Sequence, residues 1–512
     1  MYKRQAESWR FELDKHGFIL AIDQGTTSTK SSLIDSSGLI IGSSYQEIKQ
    51  YFPSPGWVEH DPEEIFQSVI DTVENLLDEF EISPTNIKSI GITNQRETTL
   101  IWDRETGKPI YNAIVWQCRR STEICQKYED MGLKDKIHNV TGLTVDPYFC
   151  ASKITWLLEN VNGARELAVK GRLAFGTVDS WIIWNLTNGL RHITDYTNAS
   201  RTMLFDIRQG CWSEELAEAM DIPLSLLPEV VPSSGVSAEA GGNYFGGQTI
   251  PIAGIIGDQQ GSLFGQACFK EGMLKTTYGT GAFILANLGI KPISSKNGLL
   301  TTIAWNLEGR SVYALEGSVF SAGSTIQWLR DELGIIEYSD ESESLAEKVS
   351  DNGGVYFVPA FSGLGAPYWD PRARATFSGI SRGTNAAHIT RAALESIAFQ
   401  CQDVFSVMRN DMKKELDVLR VDGGATDNAL LMQFQADLSE VEIQRSLTAE
   451  ATSLGAAYLA GLGCDFWRNM DEIASLWVSG NTWKPDMLPS VREKLKDDWS
   501  RAIGRAGNWI QD

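Results

Sequence analysis

The sequence predicts an α/β protein built from two similar halves that face each other across a cleft. Short apolar runs typical of strands alternate with helical stretches along the chain, as at 87–93 and 152–159, and this alternation indicates α/β architecture. A strand–turn–strand pattern with a turn rich in Gly and Thr occurs twice, at 18–30 and 274–287, about half a chain apart. The length of 512 residues is enough for two or more domains.

The elements of the first half follow from local patterns. The run 18–22 is a strand that ends in a turn, and 31–34 is the strand that returns. A helix is predicted after Asp61, which serves as its N-cap, with Pro62 as its first residue. One face of this helix is apolar and consists of Ile65, Phe66, Val69, Val73, Leu76 and Leu77.

The predicted boundary between the halves lies near 261–269. It gives an N-terminal tail at 1–17, a first domain at 18–264 and a second domain at 265–512. No stretch rich in Pro or Ser separates the two domains, so we expect them to pack directly against each other.

Charge and composition exclude several classes of protein. Lys and Arg total 45 against 66 Asp and Glu, a net charge of −21, which argues against a nucleic acid or an anionic membrane as the main partner. No run is long and apolar enough to span a membrane, and residues 1–17 lack the apolar segment of a secretory signal. Seven cysteines without a C-x-x-C pair fit reduced thiols in the cytoplasm. The five histidines show no metal-ligand spacing, so no zinc or iron site is expected.

Three turns rich in glycine are candidate phosphate-binding sites. They are 23–28, 278–281 and 422–426. Consecutive backbone N–H groups in such turns form anion-binding concavities, and Thr and Ser hydroxyls add donors. Asp23 at the mouth of the first turn is a candidate ligand for Mg²⁺, which favours a few carboxylates together with substrate phosphates. An ordinary hairpin turn is the alternative interpretation, and no Walker A or G-x-G-x-x-G motif occurs at these positions.

Other candidates follow predicted strands. Arg96 and Glu97 offer a forked donor and a double acceptor suited to a polyol, with a surface ion pair as the alternative. Asp258, just beyond the apolar run 250–256, is positioned as a general base, with a helix N-cap as the compatible alternative. Trp116 and Phe283 stand beside these candidates, although aromatic residues are more often part of a core.

Many segments of the chain together resemble the glycerol-phosphorylating branch of the FGGY carbohydrate-kinase family. The resemblance runs from about residue 18 to about residue 467. It implies two actin-like, ribonuclease H-like ATPase domains that close over ATP, Mg²⁺ and glycerol. It also implies formation of sn-glycerol 3-phosphate as the first step of glycerol catabolism, in a cytoplasmic homo-oligomer (a dimer or a tetramer). The segments are AIDQGTTSTK, GWVEHDP, GITNQRETT, NAIVWQCRR, DPYF, DYTNASRTML, GDQQGSLFGQ, TYGTGAF, PAFSGLGAPYWDP and RVDGGATDN.

The resemblance also assigns roles to individual residues. Asp258 is the expected catalytic base and Asp23 the expected metal ligand. The expected glycerol contacts are Arg96, Glu97, Tyr148, Asp258 and Gln259, with Trp116 and Phe283 packed on the carbon chain. The expected nucleotide contacts are Thr26, Thr27, Ser28, Lys30, Thr280, Gly323, Gln327, Gly424 and Asn428.

Two departures from the family pattern bear on function. Lys30 stands where the family often has Arg, so one phosphate is expected to meet a point charge instead of a bidentate fork. The loop 241–247 lacks the basic residues with which some members bind fructose 1,6-bisphosphate. It also has Tyr244 where some members have a histidine that becomes phosphorylated. Neither form of regulation is therefore expected.

Overall fold

The computed structural model describes residues 17–448 and 450–511, and its strands form two large mixed sheets, one in each half of the chain. Five small two-stranded sheets complete the strand pairing in these residues. The strands are β1 Phe18–Gln24, β2 Ser28–Ile34, β3 Ile40–Glu47, β4 Glu59–His60, β5 Ile87–Asn94, β6 Leu100–Asp103, β7 Ala113–Ile114, β8 Leu173–Gly176, β9 Ile193–Asp195, β10 Phe205–Asp206, β11 Cys211–Trp212, β12 Glu229–Val231, β13 Ser234–Ala240, β14 Ile250–Gly257, β15 Leu274–Tyr278, β16 Ala282–Gly289, β17 Leu300–Leu307, β18 Arg310–Val319, β19 Tyr356–Val358, β20 Thr376–Ser378, β21 Leu419–Asp422, β22 Ile443–Ser446 and β23 Ser479–Trp483.

Helices cover the sheets and connect their parallel strands. The longest, Ala386–Met412, crosses the second half and buries many apolar side chains there. The α-helices are Pro62–Glu79, Thr122–Asp130, Lys134–Thr141, Cys150–Asn160, Ala164–Val169, Val178–Leu186, Tyr196–Ala199, Glu214–Ala219, Asp258–Gly265, Gly323–Asp331, Glu341–Ala346, Ala386–Met412, Ala429–Ser439, Ala451–Gly463, Met470–Leu476 and Pro489–Ala506.

The two large sheets repeat one arrangement. The first has the order β13-β14-β5-β1-β2-β3 and the second the order β17-β18-β16-β15-β21-β22-β23. In the first, β1 is antiparallel to β2 and parallel to β5; in the second, β15 is antiparallel to β16 and parallel to β21. The predicted repeat of the hairpin is therefore confirmed. The third Gly-rich turn, after β21, instead leaves a parallel strand and enters a 3₁₀ turn at Gly424–Asp427.

The helix Pro62–Glu79 begins as predicted. The Asp61 carboxylate accepts from the backbone N–H of Glu63 at 2.8 Å, which satisfies one of the free donors at the helix start. The apolar face of the helix packs against β2 and β3. Phe66 on this face is only half-buried and contacts the Tyr244 ring edge-on.

The two halves share part of their core. The helix Ala451–Gly463 belongs to the second half in the sequence, yet it packs against β1, β5 and β14 of the first sheet. The buried cluster around it draws on both halves, with Ile19 and Leu263 from the first and Leu285 and Leu454 from the second. A division of the chain near residue 264 therefore crosses a shared core, and the exact domain bounds stay a prediction.

Two further findings concern membrane-spanning helices and the state of the cysteines. Within the residues that the structure describes, no helix has both the length and the apolar character needed to cross a membrane. All seven cysteines lie in the described part, and each is free.

Candidate active site

The carboxyl ends of three parallel strands bring three polar loops together in the first half. In register, Gln24 of β1 pairs with Asn94 of β5, and Asn94 pairs with Gly257 of β14. Arg96 and Glu97 follow β5, and Asp258 follows β14 directly. Ligands of open α/β sheets bind outside the carboxyl ends of such strands, so this edge is the candidate site.

Arg96 is the centre of the cluster at this edge. Its side chain is 2% exposed, which excludes the alternative of a surface ion pair. Arg96 Nε lies 3.2 Å from Asp258 Oδ1, and Nη2 donates to the Tyr148 hydroxyl at 3.3 Å. Burial raises the pKa of Asp258, while the nearby charges of Arg96 and Lys275 act in the opposite direction.

Asp258 is the first residue of the helix Asp258–Gly265, and Gly257 is its N-cap. The alternative of an N-cap aspartate is thus wrong by one position. The carboxylate accepts from the backbone N–H of Gln259 at 2.7 Å. Asp258 remains partly exposed, so it can reach a ligand in the cleft.

Glu97 is held beside Arg96 by a second buried arginine. Its backbone adopts a positive φ of 61°, a conformation that is uncommon for residues other than glycine and is found at functional sites. Arg201 Nε donates to Glu97 Oε1 at 2.6 Å. Burial raises the pKa of Glu97, and the charges of Arg201 and Arg96 oppose this rise.

Aromatic rings form a wall beside this cluster. The ring centroid of Trp116 lies 5.6 Å from that of Tyr148 and 6.4 Å from that of Phe283. All three rings are partly exposed, so they are not simple core residues. Trp116 Nε1 donates to Thr26 Oγ1 at 2.9 Å, which links the wall to the first glycine-rich turn.

Asp23 lies close to the other carboxylates of the cleft. Burial, together with the negative charges of Asp258 and Glu450, raises the pKa of Asp23 to about 7. A carboxylate with too little positive charge around it fits a divalent cation that also binds phosphate oxygens. Among the described residues, no group of three or more His, Cys, Asp and Glu side chains is arranged as a metal site.

Lys30 does not point freely into the cleft. Its Nζ lies 2.6 Å from Glu450 Oε1, so it bridges the first hairpin to the second half. Thr27 at the tip of the same hairpin is exposed, and Ser28 is half-buried.

The five nucleotide residues predicted in the second half come together. Thr280, Gly323, Gln327, Gly424 and Asn428 all line one cavity of about 520 Å³. The backbone N–H of Gly323 donates to Gly279 O at 2.9 Å, and a Cβ at Gly323 would lie 2.7 Å from that oxygen. A glycine is therefore required for this close approach. The apolar part of the lining consists of Ile326, Ala425, Leu394, Ile397 and Leu431.

Three charged residues of the site were not singled out from the sequence. Arg201, Glu316 and Lys275 are fully buried and contact the predicted residues. Lys275 Nζ donates to Gln259 Oε1 and, at 3.0 Å, to Thr277 Oγ1. Burial lowers the pKa of Lys275 to about 8. The available signal for two of them was a charge inside an otherwise uncharged strand interior. Lys275 is the single charge of Leu274–Tyr278, and Glu316 is the single interior charge of Arg310–Val319, which begins with Arg310. Arg201 lies in a turn, where no such pattern marks it.

Comparisons with known proteins identify the family of the chain. Residues 18–265 match the N-terminal domain, and residues 274–464 the C-terminal domain, of the FGGY family of carbohydrate kinases. A glycerol kinase of Carboxydothermus hydrogenoformans is 54% identical over 96% of this chain and 98% of its own length. Glycerol kinase 2 of Thermotoga maritima is 53% identical over 96% of this chain and 99% of its own length.

Solved structures match over nearly the full length as well. The crystal structure of Plasmodium falciparum glycerol kinase with ADP has a TM-score of 0.91 and 40% identity, and the match covers 97% of this chain and 99% of that one. A xylulose kinase of Lactobacillus acidophilus shares the fold with a TM-score of 0.85 at 21% identity, over 95% of this chain and 98% of its own. With both domains matched in order over most of its length, the chain belongs to the FGGY family of carbohydrate kinases.

Proposed function

We propose that this chain is a glycerol kinase, which transfers the γ-phosphoryl group of ATP to glycerol and forms sn-glycerol 3-phosphate. The observation that carries the proposal is the cluster of Arg96, Asp258 and Tyr148 beside the aromatic wall. It combines hydrogen-bonding groups for hydroxyls with an apolar surface for a short carbon chain. The names of the relatives that are 53–54% identical support glycerol as the acceptor.

The acceptor is expected to be small. The rings of Trp116, Tyr148 and Phe283 lie close together, and Arg96 donates to the Tyr148 hydroxyl, so the aromatic wall borders the polar cluster. A site with buried polar groups disfavours analogues that lack the matching hydroxyl, because those groups would remain unpaired. A three-carbon polyol fits these requirements.

Asp258 is proposed as the general base. Phosphoryl transfer proceeds through a loose transition state, so positioning and neutralisation of charge provide most of the catalysis. The Asp258 carboxylate would accept a hydrogen bond from the reacting hydroxyl, orient it and take up its proton as the new P–O bond forms. Arg96 holds this carboxylate from one side at 3.2 Å, and Gln259, held by Lys275, lies beside it.

The nucleotide is proposed to bind across both halves. Its base and sugar would occupy the cavity lined by Gln327, Gly424 and Asn428, and its phosphates would meet Thr280 and the turn Thr26–Ser28. Mg²⁺ held at Asp23 would neutralise charge on the phosphates. ADP is then the second product.

A coupled assay of ADP release tests the proposal directly. The purified protein is given Mg-ATP with glycerol, erythritol, xylulose or ribulose as acceptor. We expect turnover with glycerol at a kcat/KM at least tenfold above that for each longer acceptor. A preference for a ketose or a longer polyol would contradict glycerol as the substrate, and ATP binding without turnover of any acceptor would contradict a kinase.

The cytoplasm and a homo-oligomeric state, a dimer or a tetramer, belong to the same proposal. ATP as the phosphoryl donor favours the cytoplasm. Sedimentation equilibrium of the full chain measures the oligomeric state, and a monomer at micromolar concentration would contradict it.

A further inference from the structure

Glu316 connects the two halves of the chain at the acceptor side of the cleft. It is fully buried on β18 of the second sheet. Its Oε2 accepts from Arg96 Nη1 at 2.6 Å, and its Oε1 accepts from Arg96 Nη2 at 2.9 Å. Oε1 also accepts from Arg201 Nη2 at 2.9 Å. One carboxylate of the second half therefore holds two guanidinium groups of the first half.

The register of the second sheet explains why Glu316 faces the cleft. Glu316 pairs with Leu285 of β16, and Leu285 pairs with Lys275 of β15. Residues directly opposite each other on neighbouring strands project on the same face of a sheet. Two residues farther along the same strands, Phe283 lies on this face as well. The face that presents Phe283 to the aromatic wall thus also presents Glu316 to Arg96.

The charges around Glu316 are balanced only when it is present. Arg96, Arg201 and Lys275 carry three positive charges, and Glu97, Asp258 and Glu316 carry three negative charges. Burial alone would raise the pKa of Glu316, but Arg201 and Arg96 outweigh it and lower this pKa to about 2. Removal of one partner from such a buried group leaves an uncompensated charge, which is strongly unfavourable.

We propose that Glu316 is a positioning residue for the acceptor, which fixes Arg96 in the orientation that the acceptor requires. This inference rests on the proposed function, because it names the group that prepares the glycerol site. Glu316 holds both Nη1 and Nη2 of Arg96. In this orientation Nε lies beside Asp258, Nη2 also donates to the Tyr148 hydroxyl, and Nη1 also donates to Gln260. Without Glu316, the guanidinium would be free to turn toward Asp258 and form a closer ion pair with the base. The acceptor site is therefore complete only when the second half is seated on the first.

The test is the kinetics of Glu316→Gln in the full chain. Glutamine keeps the shape of the side chain and removes its charge. We expect the KM for glycerol to rise at least tenfold and the KM for ATP to change less than twofold, because the nucleotide cavity lies elsewhere. Glu395→Gln is the matched control, since Glu395 is also a buried carboxylate of the second half, 2.8 Å from Arg391. The KM for glycerol should stay within twofold of wild type in this control.

A double-mutant cycle separates positioning from general destabilisation. Arg96→Ala should raise the KM for glycerol strongly. The double variant Arg96→Ala, Glu316→Gln should have a KM for glycerol less than threefold above that of Arg96→Ala, because Glu316 acts through Arg96. An unchanged KM in folded Glu316→Gln, or independent effects in the cycle, would overturn the proposal.

A variant that fails to fold and a wild-type chain without activity toward glycerol have different consequences. If Glu316→Gln does not fold, Glu316→Asp, which keeps the charge and retracts it by one methylene, replaces it under the same criteria. Failure of the wild-type chain to phosphorylate glycerol would instead contradict the proposed function.

Discussion

Asp23 and Asp258 lie in the same cleft in different electrostatic surroundings. Asp258 has Arg96 at 3.2 Å and Lys275 nearby, whereas the pKa of Asp23 is raised first by burial and then by the negative charges of Asp258 and Glu450. A carboxylate that is balanced by fixed cations can act on a hydroxyl without a metal, while an unbalanced one attracts a cation. These different surroundings support the different roles that we propose for the two side chains.

Replacement of Asp258 by Asn tests its role as the base. The amide has the shape of the carboxylate but cannot take up the proton, so we expect kcat to fall at least about 100-fold. Steady-state kinetics measures kcat, and titration with ATP should show nucleotide affinity within threefold of wild type. Asp23→Asn is the comparison variant and should mainly raise the Mg²⁺ concentration needed for half-maximal activity. Near-normal kcat in Asp258→Asn would assign the base elsewhere.

At the scale of secondary-structure elements, the helix that starts with Asp258 depends on a second helix for its position. The helices Asp258–Gly265 and Ala451–Gly463 approach each other through glycines. A Cβ at Gly455 would lie 1.9 Å from the carbonyl oxygen of Gly261, and a Cβ at Gly265 would lie 1.9 Å from that of Ala451. The contacts are backbone to backbone, so no side chain can move aside to relieve a larger residue.

Gly455→Ala is expected to push these helices apart. Overpacking of this kind costs typically 1–3 kcal/mol, and it should also lower kcat because it displaces the first residue of the helix Asp258–Gly265. Denaturant unfolding and the coupled assay measure the two effects.

Gly504→Ala is the control, because Gly504 lies in the exposed part of a helix with no atom near the added Cβ. There we expect a gain of about 0.5–1 kcal/mol and unchanged activity. Equal stability of Gly455→Ala and Gly504→Ala would contradict the close contact between the helices Asp258–Gly265 and Ala451–Gly463.

For the whole molecule, the groups that would bind one nucleotide are divided between the halves. Every residue that lines the 520 Å³ cavity belongs to the second half, whereas Thr26, Thr27, Ser28 and Asp23 belong to the first. Neither half alone would therefore supply all of these groups. Closure of the halves would also exclude water, which competes with the acceptor for the phosphoryl group.

Small-angle scattering tests this closure. Addition of glycerol and a non-hydrolysable ATP analogue should give a smaller radius of gyration than that of the protein alone or of the protein with glycerol only. The analogue alone should produce part of the change, because it contacts both halves. A radius that stays the same in all conditions would argue against movement of one half relative to the other.

The sequence by itself determined the features that depend on neighbours along the chain. The two hairpins, the glycine-rich turns and the helix after Asp61 arise from local backbone preferences, and each is present as predicted. Positions after predicted strands indicated Arg96, Glu97 and Asp258, and the resemblance to the family added Tyr148; the structure brings these residues together.

Only the tertiary structure decided how these groups are held. Arg96 and Glu316 are 220 residues apart in the chain, and nothing in either local segment specifies their contact. The helix Ala451–Gly463 is apolar on all sides, so its pattern does not indicate that it packs on the first sheet. The adjacent Arg96 and Glu97 could equally have been an exposed pair. The structure buries them instead. A charge removed from water must be matched by other charges, and only the folded chain brings Arg201, Lys275 and Glu316 close enough to do so.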